Sequence, residues 1–297
     1  MAARATRSAS RKARLTEAVA TGPLGALSHD ELGVIVDGLA DPLQPVVAVA
    51  LSSTCLGLRT PLLPALQVLK ERHARVLALC RKIEISCALL RDVKALDLDN
   101  MDLTANDMAT FGMILRTNGL PQLQLLNLYE NKLDDTAMHN LCGGLGFCAL
   151  SSLRYFNVAH NVFGPEGAED FAAALRRGAM PKLQNCLIYG NRFGNEGLSA
   201  LAQPLRKLTE LTSLLLFGAC GIGDEGVASL VDNLDKDDFP SLEELTMHGN
   251  SKITSAGNAK IVAAVEAGGL PKLHSFLMMA PPGDKSVQVA LQRRRNA

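Results

Sequence analysis

The chain has 297 residues, enough for one large domain or two small ones with buried cores. About half of the residues are apolar (47%), and 30 basic residues balance 30 acidic ones, so no net charge attracts nucleic acid or an acidic membrane. No apolar run reaches the ~18 residues of a membrane span. The 7 cysteines form no C-x-x-C pair, which favours a reduced, intracellular protein.

Residues 1–27 form a basic segment in which the first acid is Glu17. This composition is typical of a disordered tail. It also fits an organelle transit peptide, which is rich in Arg and Ser and poor in acids, and a nuclear address is a third alternative. The expected location is therefore cytoplasmic or nuclear, with organelle targeting left open. The basic residues are Arg4, Arg7, Arg11, Lys12 and Arg14.

Residues 28–90 are predicted to be helical. Ser28 and Glu31 form a capping box, apolar residues follow at helical spacing, and Asp41 and Pro42 end the helix before a second, valine-rich helix. This order resembles an F-box, although Ser28 stands where proline is usual and Leu58 where tryptophan is common. The residues that carry the resemblance are Leu27, Glu31, Leu32, Ile35, Leu39, Asp41, Pro42, Cys55 and Arg59.

The F-box resemblance implies a substrate receptor of a cullin-type ubiquitin ligase, with a Skp-family adaptor docked on these helices. The alternative is that residues 28–90 only cap the open end of the domain that follows, as repeat proteins require. On the first interpretation, the adaptor-binding residues are Leu32, Ile35, Leu39, Pro42 and Leu51.

From residue 91 onward the sequence repeats at intervals of about 30 residues. Each repeat carries an apolar–x–apolar triplet, preceded by an apolar residue three positions upstream and followed in most repeats by an asparagine or cysteine. Met101 departs from this pattern in the first repeat. The triplets begin at Leu96, Leu126, Phe156, Cys186, Leu214, Leu245 and Phe276, and the asparagines are Asn131, Asn161, Asn191 and Asn250.

This pattern resembles the leucine-rich repeat, and its length points to the ribonuclease-inhibitor type. The resemblance implies an α/β leucine-rich repeat solenoid over residues 91–297, with about seven βα repeats, a curved parallel sheet on the concave side and helices on the convex side. A βα barrel also alternates strands and helices, but its strands are usually unbroken apolar runs without a fixed asparagine.

Two recurring polar features have structural interpretations. A turn inside the coil leaves backbone groups buried, and an Asn side chain can both donate to and accept from them, so Asn131 is predicted to form a ladder with Asn161 and Asn191. A G-x-E-G motif recurs at 164–167, 194–197 and 223–226. Helix capping, with an acid near the positive helix end, explains it better than a phosphate or metal loop.

Function is expected on the concave face. The residues before, between and after the buried strand positions point to this face. All 3 tyrosines of the chain fall there, and a long aromatic surface suits a protein partner better than a small metabolite. The predicted partner-binding residues are Asp97, Asp99, Asn127, Tyr129, Tyr155, Asn157, Tyr189, Phe217, Glu244 and His248.

The sequence contains no catalytic motif, so a non-catalytic protein without cofactor or metal is expected. The 6 histidines lack zinc-binding spacing, and His160 and His248 are interpreted as ordinary polar residues near the rim of the face. Two alternatives to the ligase receptor stay open. One is a free-standing scaffold in a signalling or cytoskeletal assembly, and the other, ranked lower, is a regulator resembling the GTPase activators of this repeat type.

Overall fold

A computed structural model describes residue 35 and residues 41–54, 56–146, 149–277 and 285–296. The predicted basic tail, residues 1–27, lies outside these ranges. The chain divides into two compact units. The first runs to Arg81 and includes Ser86–Ala88, and the second comprises Lys82–Ile85 and the chain from Leu89 onward.

The described part of the first unit is helical, as the sequence predicts. Helices α1 (Val46–Thr54) and α2 (Leu56–Lys82) are followed by the single turn α3 (Cys87–Leu90). Along α2, Leu62, Leu69 and Val76 are buried at seven-residue spacing, which places them on one face of the helix.

The second unit contains a parallel sheet of seven strands in sequential order, each followed along the chain by a helix. This confirms the predicted α/β solenoid. The strands are β1 (Ala95–Asp97), β2 (Leu125–Asn127), β3 (Tyr155–Asn157), β4 (Asn185–Leu187), β5 (Ser213–Leu215), β6 (Glu244–Thr246) and β7 (Ser275–Leu277). The helices are α4 (Ala105–Asn118), α5 (Asp135–Gly143), α6 (Pro165–Arg176), α7 (Gly194–Arg206), α8 (Asp224–Val231), α9 (Ser255–Glu266) and α10 (Ser286–Asn296).

The core of the repeats lies between the sheet and the helices. The middle residue of every strand is buried, and the strand register aligns Leu96, Leu126 and Phe156 in one row. From the helix side, Phe171 meets Phe156 with ring centroids 5.2 Å apart. The first residue of each triplet is the middle residue of its strand, and its burial between the sheet and the helices favours the strand.

The predicted asparagine ladder is confirmed. The side-chain oxygen of Asn131 accepts hydrogen bonds from the amides of Met101 and Leu103 in the preceding repeat, both at 3.0 Å. Its amide nitrogen donates to the carbonyls of Leu98 at 2.8 Å and Tyr129 at 3.1 Å. One side chain thus satisfies backbone groups of two consecutive turns that would otherwise be buried without partners.

The ladder continues with small differences between repeats. Asn161 and Asn250 repeat the pattern of Asn131, with their oxygens accepting from Leu133 at 2.8 Å and from Ile222 at 3.3 Å. The amide of Asn191 donates to the preceding repeat, but its side-chain oxygen has no hydrogen-bond partner among the described residues. Asn191 therefore holds its turn with donors alone.

Two of the three G-x-E-G motifs, at 164–167 and 223–226, lie at helix starts whose acceptor comes from the preceding repeat, whereas the Gly197 amide donates to the Phe193 carbonyl of its own repeat. Helix α6 begins after Gly164, which makes no side-chain cap of its own. Instead, Asp135 of the previous repeat accepts from the amides of Gly164 at 2.6 Å and Gly167 at 2.8 Å. A Cβ atom on Gly167 would lie 2.7 Å from that carboxylate, so glycine is needed for the close approach.

The same arrangement recurs at two later helices. Asn195 accepts from Gly223 at 2.6 Å and Gly226 at 3.2 Å, and Asp224 accepts from the amides of Thr254 at 2.8 Å and Gly257 at 2.9 Å. At these helices the main capping acceptor is thus a residue one repeat earlier, and the motif's own glutamate is secondary to it. We call Asp135, Asn195 and Asp224 the inter-repeat caps.

Candidate partner-binding face

Four rows of side chains form the open face of the sheet. Two rows belong to the strands and point away from the helices, and the other two belong to the residues directly after the strands. The strand register defines two rows, which contain Tyr155 and Asn157. Backbone bonds after the strands extend the pairing, for example from His160 N–H to the Tyr189 carbonyl at 2.9 Å, and define two more rows. The rows start at Ala95, Asp97, Asp99 and Asn100, and their later members are the aligned residues of each repeat.

Five rings form a continuous contact series along this face, which we call the aromatic ladder: Tyr129, His160, Tyr189, Phe217 and His248. The His160 ring lies edge-on between two tyrosines, with centroids 5.1 Å from Tyr129 and 5.3 Å from Tyr189. Tyr189 stacks on Phe217 at 3.8 Å, and Phe217 stacks on His248 at 4.5 Å. The rings therefore span four consecutive repeat boundaries without a break.

His160 enters the ladder through an unusual backbone position. The row that holds Tyr129 and Tyr189 has Ala159 between them, and Ala159 is buried. The next residue, His160, has φ 52° and places its exposed ring in the gap. Opposite it, a Cβ atom on Gly190 would lie 3.2 Å from the imidazole, so this glycine makes room for the ring.

The sequence predicted ordinary polar residues near the rim at His160 and His248, and in the structure both contact aromatic rings of this face. The position of His160 could not be read from the alternation of the strand, because Ala159, not His160, occupies the row of Tyr129 and Tyr189. An available signal was the pair of small residues, Ala159 between two tyrosines and Gly190 directly after the second.

The three tyrosines do not form one cluster. Tyr129 and Tyr189 have ring centroids 6.5 Å apart, whereas Tyr155 lies in a different row and makes no ring contact within the described residues. Burial is the main factor that raises the pKa of Tyr155; a hydrogen bond to Asn157 lowers it, and the nearby charge of Asp97 raises it. All three tyrosines thus belong to rows of the open face, but only Tyr129 and Tyr189 have rings close to each other.

The remaining predicted residues differ in how much surface they present. Asp97 and Asp99 are exposed, and Asn127 donates to Asp97 at 2.7 Å. Asn157 is only 5% exposed, and its side-chain oxygen accepts from the Ala159 amide. Glu244 is half-buried and accepts from the Ser213 hydroxyl at 2.9 Å.

The predicted adaptor-binding residues are only partly described. Leu32 and Leu39 lie outside the described residues, and the side chain of Leu51 is also outside them although its backbone lies in α1. Ile35 is helical and half-buried. Pro42 is buried, and its carbonyl lies 2.7 Å from a ring nitrogen of His73.

A family model described as Leucine Rich repeat matches residues 149–172, which contain β3 and the first part of α6. Together with the parallel sheet of seven strands, this match defines an α/β leucine-rich repeat solenoid. Such repeats are typical of protein–protein interaction modules and are generally binding scaffolds rather than catalysts. Within the described ranges, no helix is long and apolar enough to cross a membrane.

Proposed function

We propose that this chain binds a protein partner on the open face, with the aromatic ladder at the centre of the contact. The observation that supports the proposal most directly is the unbroken series of five rings, of which Tyr129, Tyr189, Phe217 and His248 are half-buried and His160 is exposed. Contacts between the rings restrict their motion before binding, so little side-chain entropy is lost when a partner covers them.

A photo-cross-linking amino acid at Phe217 tests this proposal in the full chain. In extract from the native source, we expect covalent protein adducts at this position and none when the same amino acid replaces Ala259, which is exposed on α9. Adding Tyr189→Ala should reduce the Phe217 adducts, because it removes the ring that stacks there. Equal labelling at both positions, or no adducts at Phe217, would contradict the proposal.

A second, finer proposal is that α1 docks on a Skp-family adaptor and that the open face then holds a ligase substrate. Its support is an exposed apolar surface on this helix, where Val46, Val47 and Val49 are 72%, 56% and 51% exposed, while Ala48 is buried. Three exposed valines within four residues of one helix are unusual on a surface that only faces water. The alternative remains a free-standing scaffold that has no adaptor.

A pull-down of a purified Skp-family adaptor by the full chain separates these two alternatives. We expect binding by the wild type and its loss in the double variant Val47→Asp/Val49→Asp. The matched control is Leu63→Asp/Val68→Asp, which changes two residues of α2 that are also exposed and should leave binding unchanged. If the unmodified chain does not retain the adaptor, the scaffold alternative is favoured, and the open-face proposal is unaffected.

A further inference from the structure

The open face carries negative charge although the chain as a whole is neutral, with 30 basic and 30 acidic residues. Its charged members are Asp97, Asp99, Glu130 and Glu244, and none of the described residues in the four rows is Lys or Arg. A surface of one sign on a neutral protein favours a partner of the opposite sign, because complementary potentials guide the encounter and exclude partners of like charge.

Three of these acids lie at the same end of the face as the first rings of the ladder. Asp99 and Tyr129 are neighbours in one row, and Glu130 follows Tyr129 with an exposed side chain and φ 53°. The pKa of Tyr129 is raised first by burial, then by the charge of Glu130 and a hydrogen bond with it, and less by the charges of Tyr189 and Asp99, which is consistent with carboxylates close to the phenol. Asp97 is held in place by the Asn127 amide.

Rings next to carboxylates match the chemistry of a guanidinium group. An arginine can place its planar group over an aromatic face and at the same time donate two parallel hydrogen bonds to a carboxylate. Lysine offers a compact charge but no planar surface, so it satisfies the carboxylates better than the rings. A nucleic acid or an anionic membrane surface would instead be repelled by the four acids.

The length of the ladder sets the size of the partner segment. Neighbouring strands lie about 4.8 Å apart, so five consecutive repeats extend over about 19 Å. An extended peptide advances about 3.3 Å per residue, and about six residues therefore cover this distance, with every second side chain on the same side. A segment of this kind can lie along the whole ladder while one of its cations reaches Tyr129 and the neighbouring acids.

We infer that the open face binds an extended, positively charged segment of a protein partner, with arginine preferred over lysine at the residue that contacts Tyr129 at the end of the aromatic ladder. This inference rests on the proposed function of the face and specifies the chemistry of its partner. The contacts that select the segment are the Tyr129 ring for the planar group, since its ring contacts within the described residues are all with later repeats, and Asp99 and Glu130 for its charge.

Fluorescence anisotropy with three labelled 12-residue peptides tests the inference on the full chain: alternating Arg-Gly, alternating Lys-Gly and alternating Glu-Gly. We expect the arginine peptide to bind most tightly, the lysine peptide several-fold more weakly and the glutamate peptide not at all. The double variant Asp99→Asn/Glu130→Gln should weaken the binding of the arginine peptide by about 10-fold. The control Asp237→Asn/Glu266→Gln removes two exposed charges elsewhere and should change nothing.

The variant Tyr129→Leu distinguishes stacking from simple charge attraction. It should weaken the arginine peptide more than the lysine peptide, so that the two affinities converge. Equal binding of the arginine and lysine peptides to the wild type, or equal losses in the Asp99/Glu130 variant and its control, would overturn the inference.

Cross-linking at Phe217 separates a failure of this inference from a failure of the proposed function. If adducts form there but the cross-linked partner segments are not basic, the face binds proteins and the charge inference is wrong. If no adducts form, the proposed function itself fails. Basic, arginine-containing segments in the adducts would support both.

Discussion

The buried turns of the repeats and the open face of the same sheet are built in opposite ways. In the turns, the same residue returns at the same position, as with Asn131, Asn161 and Asn250, because each one completes the hydrogen bonds of the backbone. On the open face, aligned positions hold unrelated residues such as Asp99 and Phe217. Repetition therefore marks what the fold requires, and variation marks the surface that is free to recognise a partner.

The largest expected effect on stability comes from removing one member of the asparagine ladder. Asn161→Ala leaves the amides of Asn131 and Leu133 and the carbonyl of Leu128 without this partner inside the protein. Because each buried group without a partner costs about 1–3 kcal/mol, we expect a loss of about 2–4 kcal/mol in the free energy of unfolding. Equilibrium denaturation in urea measures this loss.

The matched variant is Asn191→Ala, which sharpens the same test. The Asn191 oxygen accepts no hydrogen bond within the described residues, so this substitution removes donors only and should cost clearly less than Asn161→Ala. Equal losses for the two variants would mean that the accepted bonds contribute little, and the proposed reason for the repetition would be wrong.

The inter-repeat caps should have the next largest effect. Asp135→Ala removes the acceptor for two amides at the start of α6, and we expect a loss of about 1–2 kcal/mol in unfolding free energy. Glu166→Ala removes an acid from the first turn of the same helix and should cost less than about 1 kcal/mol, through the helix dipole alone. A loss for Glu166→Ala larger than that for Asp135→Ala would show that the motif's own glutamate is the main cap of this helix.

The repeating part of this fold could be predicted from the sequence because its determinants are local and recur. A central apolar residue such as Leu126 specifies a buried strand position, and one asparagine per turn specifies the backbone bonds that follow. The inter-repeat caps could not be assigned in the same way, since Asp135 lies 29 positions from Gly164. Nothing in the G-x-E-G motif indicates that the acceptor for its backbone amides belongs to another repeat.

The sequence predicted most of the residues on the open face, but it did not predict how their rings are arranged. Strand alternation places Tyr129, Tyr155 and Tyr189 on the side away from the helices, because neighbouring side chains point to opposite faces. The aromatic ladder depends in addition on the left-handed backbone at His160 and on the space beside Gly190. The left-handed angle recurs at the aligned Asn100, Glu130 and Gly190, but the contact of the His160 ring with Tyr129 and Tyr189 depends on the packed neighbouring turns.

A third prediction concerns the acid sensitivity of the caps. Burial alone would raise the pKa of Asp224, but hydrogen bonds from Thr254 and the Gly257 amide outweigh it and hold the pKa below its usual value. Because the folded pKa is lowered, the contribution of Asp224 to stability is present above about pH 4 and is lost as the pH falls through the folded pKa.

Asp224→Asn should therefore reduce the dependence of the unfolding free energy on pH between about 5 and 3, while the cap hydrogen bonds persist, as they do for Asn195 in the repeat before. Urea denaturation at a series of pH values measures the change in slope. An unchanged slope would show that this carboxylate does not gain from its cap in the folded state.

The smallest effect on stability is expected on the open face. Asp99→Asn/Glu130→Gln changes two exposed side chains and should shift the unfolding free energy by no more than about 0.5 kcal/mol. The same variant should weaken binding of the arginine peptide, because both carboxylates face the segment that the ladder holds. Urea denaturation measured beside the binding assay gives both values for one protein. A loss of stability as large as that of Asp135→Ala would show that these acids support the fold, and the contrast between repeated and varied positions would no longer separate folding from recognition.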